Sequence, residues 1–276
     1  MCYVQMPAKA CWERNSMKLL GCLFVLFCTL PAEATLVVFQ WTPQIIYLAA
    51  DSLTLKVRSN KIIGVDACKL HQQGDIVFTI VGINDDPSMK IDLVTIAKQA
   101  AHMNGTIEEK LSAFDKLART PIERLLHAGL AVQKVGPDIV LDSINIVFVS
   151  IREHALARKE YSRQGRTTVT AGQTIVYGVG GGRLPVTDYT SIGVYVEAQA
   201  AVDRDPVLSR AEGVPFIAGF LKAQIAHEQA RLQQHQIPRV GGSICILQIT
   251  GGTAARVTGY QKPCPDISRQ GPVFPN

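Results

Sequence analysis

The chain has 276 residues, 47% of them hydrophobic and 18% charged, and carries a net charge of +5. That length suits one large domain or two small ones around a substantial core. The positive charge is spread along the chain and forms no basic stripe, which argues against nucleic acid as a partner. Outside the N-terminal segment, no run reaches the roughly 18 apolar residues that a membrane helix requires.

The first segment is unlike the rest. Met17-Lys18 opens a short positive stretch, Leu19 to Leu30 is apolar apart from Gly21 and Thr29, and Pro31 and Ala32-Glu33-Ala34 follow. A charged start, an apolar run of about 7–15 residues and a small-x-small triplet describe a secretory signal peptide. The run is too short to span a bilayer, which takes about 20 helical residues. Residues 1–34 are therefore expected to be removed, with translation starting at Met17. An exported protein, periplasmic or extracellular, with no stable membrane anchor would remain. An uncleaved anchor is the alternative; a lipoprotein processed at Cys22 is disfavoured, because Cys22 lies too near Met17 to leave an apolar run before it.

Four of the seven cysteines, Cys2, Cys11, Cys22 and Cys28, fall in that segment. Cys68, Cys245 and Cys264 remain, an odd number that makes no disulfide framework. A Cys245–Cys264 bridge is open on sequence grounds. Neither the cysteines nor the six histidines show zinc-ligand spacing. His71 and His127 read as surface or edge residues.

From Thr35 the pattern is regular. Leu36–Phe39 and Ile45–Ala50 are apolar runs around a turn containing Pro43, and read as a hairpin. Lys56–Val65 reads as the next strand with its turn, and Ile76–Val81 as a buried strand ending at Gly82. Pro87–Met103 and Thr106–Gln133 carry apolar residues at helical spacing. Asn104-Gly105 separates them, and Thr106-x-x-Glu109 is a capping box. Strands return at Ser143–Ile151, Arg158–Ser162 and Thr174–Tyr177. Gly178–Gly182 is a glycine-rich turn lacking both the spacing of a dinucleotide site and the lysine of a P-loop. A helix over Val214–His235 and strands over Ser243–Thr250 and Ala254–Tyr260 close the domain, expected over residues 35–262. Residues 263–276 form a Pro-rich irregular tail. Segregated helices and hairpin-linked strands give an α+β fold, a four-layer α/β/β/α sandwich of two sheets with helices on each outer side.

Three residues then acquire chemical meaning together. A cut after Ala34 would make Thr35 the first residue, and an N-terminal threonine carries a base in its own α-amine. That amine has a pKa of about 7.7–8.0, so a useful fraction is neutral near pH 7. Taken alone, Thr35 would simply begin a strand. Asp51, however, stands at the end of the second apolar run, and the hairpin returns it beside Thr35. Lys69 precedes the next buried strand; an ammonium near the threonine hydroxyl favours the alkoxide and lowers the amine's pKa. An aspartate beside that lysine would hold it oriented. Otherwise the two would be a surface ion pair worth about 0–1 kcal/mol. Gly82 can present an unobstructed N–H as an oxyanion donor, or can serve only as a strand-end turn.

"TLVVFQWTPQIIYLAADSLTL", "ACKLH" and "DIVFTIVGI" resemble the opening of a proteasome β-type subunit, an N-terminal-nucleophile hydrolase, here as an exported bacterial-type member. The resemblance implies Thr35 as nucleophile, Asp51 and Lys69 as its charged partners and Gly82 as oxyanion donor. It implies no metal or organic cofactor. Two departures stand out: Val179 occupies the glycine-rich turn where the family has serine. Pro238 and Val240 or Gly241 stand where a D-x-x-S-G-S pattern is usual, leaving only Ser243. The expected function is an exported threonine-type hydrolase acting on a peptide or other amide substrate. A catalytically lapsed scaffold or assembly protein and a small-molecule amidase are the alternatives. Relatives form rings, which leaves a homo-oligomer open.

Overall fold

The computed structural model describes residues 31–32, 35–41, 44–58, 61–133, 142–165, 168–177, 189–193, 196–233 and 239–257. The expected tail and the glycine-rich turn lie outside these residues, as does all of the expected signal segment except Pro31 and Ala32. The strands, in chain order, are β1 (Pro31–Ala32), β2 (Leu36–Trp41), β3 (Ile45–Asp51), β4 (Leu53–Arg58), β5 (Lys61–Asp66), β6 (His71–Gln73), β7 (Ile76–Val81), β8 (Asp85–Asp86) and β9 (Ile91–Asp92). Helices α1 (Leu93–His102) and α2 (Ile107–Gln133) follow, then β10 (Ser143–Ser150), β11 (Ala155–Gln164), β12 (Thr168–Ala171), β13 (Ile175–Tyr177) and β14 (Tyr189–Gly193). Helices α3 (Val196–Arg204), α4 (Pro206–Arg210) and α5 (Gly213–Gln233) precede β15 (Ile244–Thr250) and β16 (Thr253–Arg256).

Two antiparallel sheets carry the fold. One runs β14-β2-β3-β15-β16; the other runs β12-β11-β10-β7-β6, with β13 also paired to β11. Alternate residues along each strand point to opposite faces, and this divides the core into three. Val37, Phe39, Leu48 and Ala50 of the first sheet meet Val77, Val81, Val147 and Val149 of the second in the space between the sheets. Ile76, Phe78, Ile146 and Phe148 face the other way, onto Ala97, Leu111, Phe114 and Leu125 of α1 and α2. Leu36, Val38, Ala49 and Ile246 face outward onto Phe216, Ile217, Phe220 and Leu221 of α5. Three apolar seams between four layers make the α/β/β/α sandwich expected from the sequence.

The helix starts follow local chemistry. Thr106 and Glu109 form the reciprocal cap read from the sequence: Thr106 N donates to Glu109 Oε2 (2.8 Å) and Glu109 N to Thr106 Oγ1 (3.3 Å). The preceding helix starts later than its apolar spacing suggests, at Leu93 instead of Pro87. Asp86 Oδ1 accepts from the N–H groups of Ser88 and Met89, shaping a turn, and Asp92 caps the helix through Thr95 N. His71 lies on the edge strand β6, as expected, but not at the surface: it is 7% exposed and stacks on Phe78 with ring centroids 5.2 Å apart. Strands β12 and β14 and helices α3 and α4 were not anticipated.

Candidate active site

The hairpin of β2 and β3 pairs Val37 with Ala50, so the end of one strand returns beside the start of the other. Asp51 ends β3 with its side chain fully enclosed, and it receives four donors. Oδ1 accepts from Leu36 N (2.8 Å) and Lys69 Nζ (3.0 Å); Oδ2 accepts from Leu53 N (3.2 Å) and Gly241 N (3.1 Å). Lys69 also donates to the carbonyl of Leu53. Side-chain exposure in the ion pair is 2% for Lys69 and 0% for Asp51. Burial pushes the Asp51 carboxyl above its ordinary pKa, while the Lys69 charge and the N–H groups of Leu36 and Gly241 pull it back down.

Thr35 adjoins this pair through the Leu36 amide. It is 1% exposed, and its Oγ1 has no hydrogen-bond partner among the described residues. A buried hydroxyl without a partner is a costly arrangement for an ordinary strand residue. In the 276-residue chain Thr35 is internal, its nitrogen joined to Ala34. Just upstream, Pro31 and Ala32 pair with Lys56 and Leu55.

Gly82 reaches the same end of the sandwich from the second sheet. His71 pairs with Phe78; continuing that register sets Lys69 level with Ile80, two residues short of Gly82. Gly82 has φ +109°, and a Cβ there would lie 2.5 Å from the Ser143 carbonyl oxygen, so only glycine fits. No hydrogen bond among the described residues joins Gly82 to Thr35, Asp51 or Lys69.

One site residue escaped the sequence reading. Gly241 stands where the expected polar pattern is missing, and it supplies Asp51 with a main-chain N–H instead of a side chain. Its carbonyl accepts from Ser52 N (3.2 Å) and Leu53 N (3.0 Å), and Ser243 N donates to Ser52 Oγ (2.7 Å). Val240 is buried against the α5 layer, while Val179 and Pro238 fall outside the described residues. The apolar run after Gly241-Gly242 was the available signal, but a backbone donor leaves no signature in side-chain type.

The cysteines need correction. Cys245 is a buried free thiol, so the Cys245–Cys264 bridge is not formed. Cys68, next to Lys69, is disulfide-bonded. Among the described residues no cluster of His, Cys, Asp and Glu could hold a metal ion, and no helix is long and apolar enough to cross a membrane.

The chain is an α+β sandwich of four layers, α/β/β/α. No family model matches it, and no curated protein does. Solved structures do. Anbu (ancestral beta-subunit) from Yersinia bercovieri is 12% identical and covers 81% of this chain and 87% of its own, with a TM-score of 0.44. The Gly-1 mutant of Anbu from Hyphomicrobium sp. strain MC1 is 12% identical over 82% of this chain and 87% of its own, at 0.43. The helical assembly of the Anbu complex from Pseudomonas aeruginosa is 12% identical over 85% and 91%, also at 0.43. The resemblance to proteasome β-type subunits is thereby corrected: no family model places the chain among them, and these solved structures are Anbu proteins. The fold itself rests on the chain's own layers and strand orders.

Proposed function

We propose that the chain is the precursor of an exported hydrolase of amide bonds, with Thr35 as nucleophile once residues 1–34 are removed. The observation that carries this reading is the buried Asp51–Lys69 pair, one peptide from a threonine hydroxyl with no partner among the described residues. Removal of the upstream segment turns the Thr35 nitrogen into a free amine. The Oγ1 proton passes to that amine, directly or through water, as Oγ1 attacks the carbonyl carbon. The Gly82 N–H is the donor assigned to the oxyanion. Lys69, oriented by Asp51, stabilises the developing negative charge on Oγ1. The C–N bond then breaks, the departing amine takes the proton, and water hydrolyses the acyl ester to restore Thr35. Peptides are the expected substrates.

Export is part of the same proposal, because one cleavage would both release the protein and create the base.

The test is labelling of the processed protein with a β-lactone or epoxyketone probe. Labelling that disappears in Thr35→Ala is expected. A correctly processed wild type that takes up no probe would leave a non-catalytic scaffold as the reading; labelling that survives Thr35→Ala would move the nucleophile elsewhere.

A further inference from the structure

On α5, far from Thr35 in sequence, lies a second buried carboxylate with no part in the chemistry above. Glu228 is 0% exposed. Its Oε2 accepts from the backbone N of Arg239 (2.8 Å), and its Oε1 from Arg239 Nη2 (2.8 Å) and Nε (3.2 Å). Gln224 Nε2 donates to Oε1 as well (3.3 Å), while Gln224 Oε1 accepts from Ala198 N (3.1 Å), tying α3 to α5. Arg231 Nε stands 3.4 Å from Oε2. A carboxylate this enclosed is tolerated only because cations and amides fill its lone pairs.

What the carboxylate grips is the start of the segment that ends at the site. Arg239 is two residues before Gly241, whose N–H donates to Asp51 Oδ2 and whose carbonyl receives Ser52 N and Leu53 N. Besides Arg239, four hydrogen bonds anchor this segment, and three of them are made by the main chain of Gly241, where no side chain can hold the loop. The fourth is Ser243 N on Ser52 Oγ. The Arg239 fork, fixed through both backbone and guanidinium, is the only charged anchor on the segment among the described residues.

We propose that Glu228 and Arg239 are positioning residues that hold Gly241 N–H on Asp51, and through Asp51 fix the direction of the Lys69 ammonium. The inference rests on the reading of Thr35, Asp51 and Lys69 as catalytic. With the clamp intact, Asp51 has both oxygens committed: Oδ1 to Lys69 and Leu36, Oδ2 to Gly241 and Leu53. Without it, Oδ2 loses a donor and the carboxylate can turn about its Cβ–Cγ bond.

Glu228→Gln and Arg239→Ala test this in the full-length chain, processed as the wild type is. Amide exchange at Gly241 is expected to speed up about tenfold, while amides at the centre of the first sheet, Leu48 and Leu247, exchange as in the wild type. The maximal rate of β-lactone labelling is expected to fall about tenfold with the probe's apparent affinity unchanged. Arg239→Lys keeps the charge but not the fork, and should fall between; it carries the test if Glu228→Gln does not fold. Exchange at Gly241 within about twofold of wild type overturns the clamp. If the wild type takes up no probe, the reading of Thr35 fails, and exchange at Gly241 still decides the clamp.

Discussion

Two aspartates show how differently this chain uses the same materials. Asp115, on α2, accepts from Arg119 Nη2 (3.0 Å), Lys159 Nζ (2.9 Å) and the Tyr161 hydroxyl (2.9 Å), and its side chain stays 19% exposed. Burial alone would raise its pKa, but these donors hold the carboxyl below the ordinary value. Asp51 is wholly enclosed, has one ammonium instead of two cations, and its carboxyl is pushed up. The first cluster latches a helix to a sheet at the protein's rim, where water still shares the charge. The second keeps a buried pair in a dry place one peptide from a hydroxyl with no partner among the described residues, an arrangement that packing does not require.

Removing one partner should separate the two regions most clearly. Asp51→Ala strands the Lys69 ammonium in the core and is expected to cost about 3–5 kcal/mol in urea unfolding. Asp115→Ala, at a partly exposed site, should cost about 1 kcal/mol or less. Equal costs would erase the distinction.

The pH dependence should differ in sign. A carboxyl lowered by folding contributes stability above its unfolded value of 3.8, lost as pH falls through the folded pKa. Asp115→Asn should therefore flatten the acid limb of stability. A carboxyl raised by folding contributes below 3.8, and that contribution is lost as pH rises through the folded pKa. Asp51→Asn should remove a decline on raising the pH from 3.8. Unfolding series from pH 2 to 7 on wild type and both variants read the two slopes; slopes of the same sign would contradict the assignment.

The smallest effect concerns Cys245, whose thiol burial lifts to about 11. Native protein should resist alkylation at pH 8 and react only after unfolding, because the thiolate is the nucleophile. Rapid alkylation of the native state would place Cys245 nearer solvent than the fold does.

Sequence carried the first half of the site because its signals are local. An aspartate ending an apolar strand and a lysine just before the next are visible in short windows, and hairpin geometry does the rest. Gly241 was not legible: it contacts Asp51 across 190 positions through a main-chain N–H. Glu228 was not legible either, since nothing in α5 announces that Arg239 folds back over it. The missed elements fail for related reasons. α4 has only five residues, started by Asp205 accepting from Val207 and Leu208 with Pro206 at its first position. β12 is a polar edge strand whose identity comes from pairing with β11.

The central claim is that a hydroxyl becomes reactive because the polypeptide ends beside it. N-terminal sequencing and intact mass of the probe-labelled, exported protein test that in one measurement. The account predicts a chain beginning at Thr35 with one probe bound to that residue. A mature chain beginning elsewhere, or a probe attached to any other residue, would contradict it.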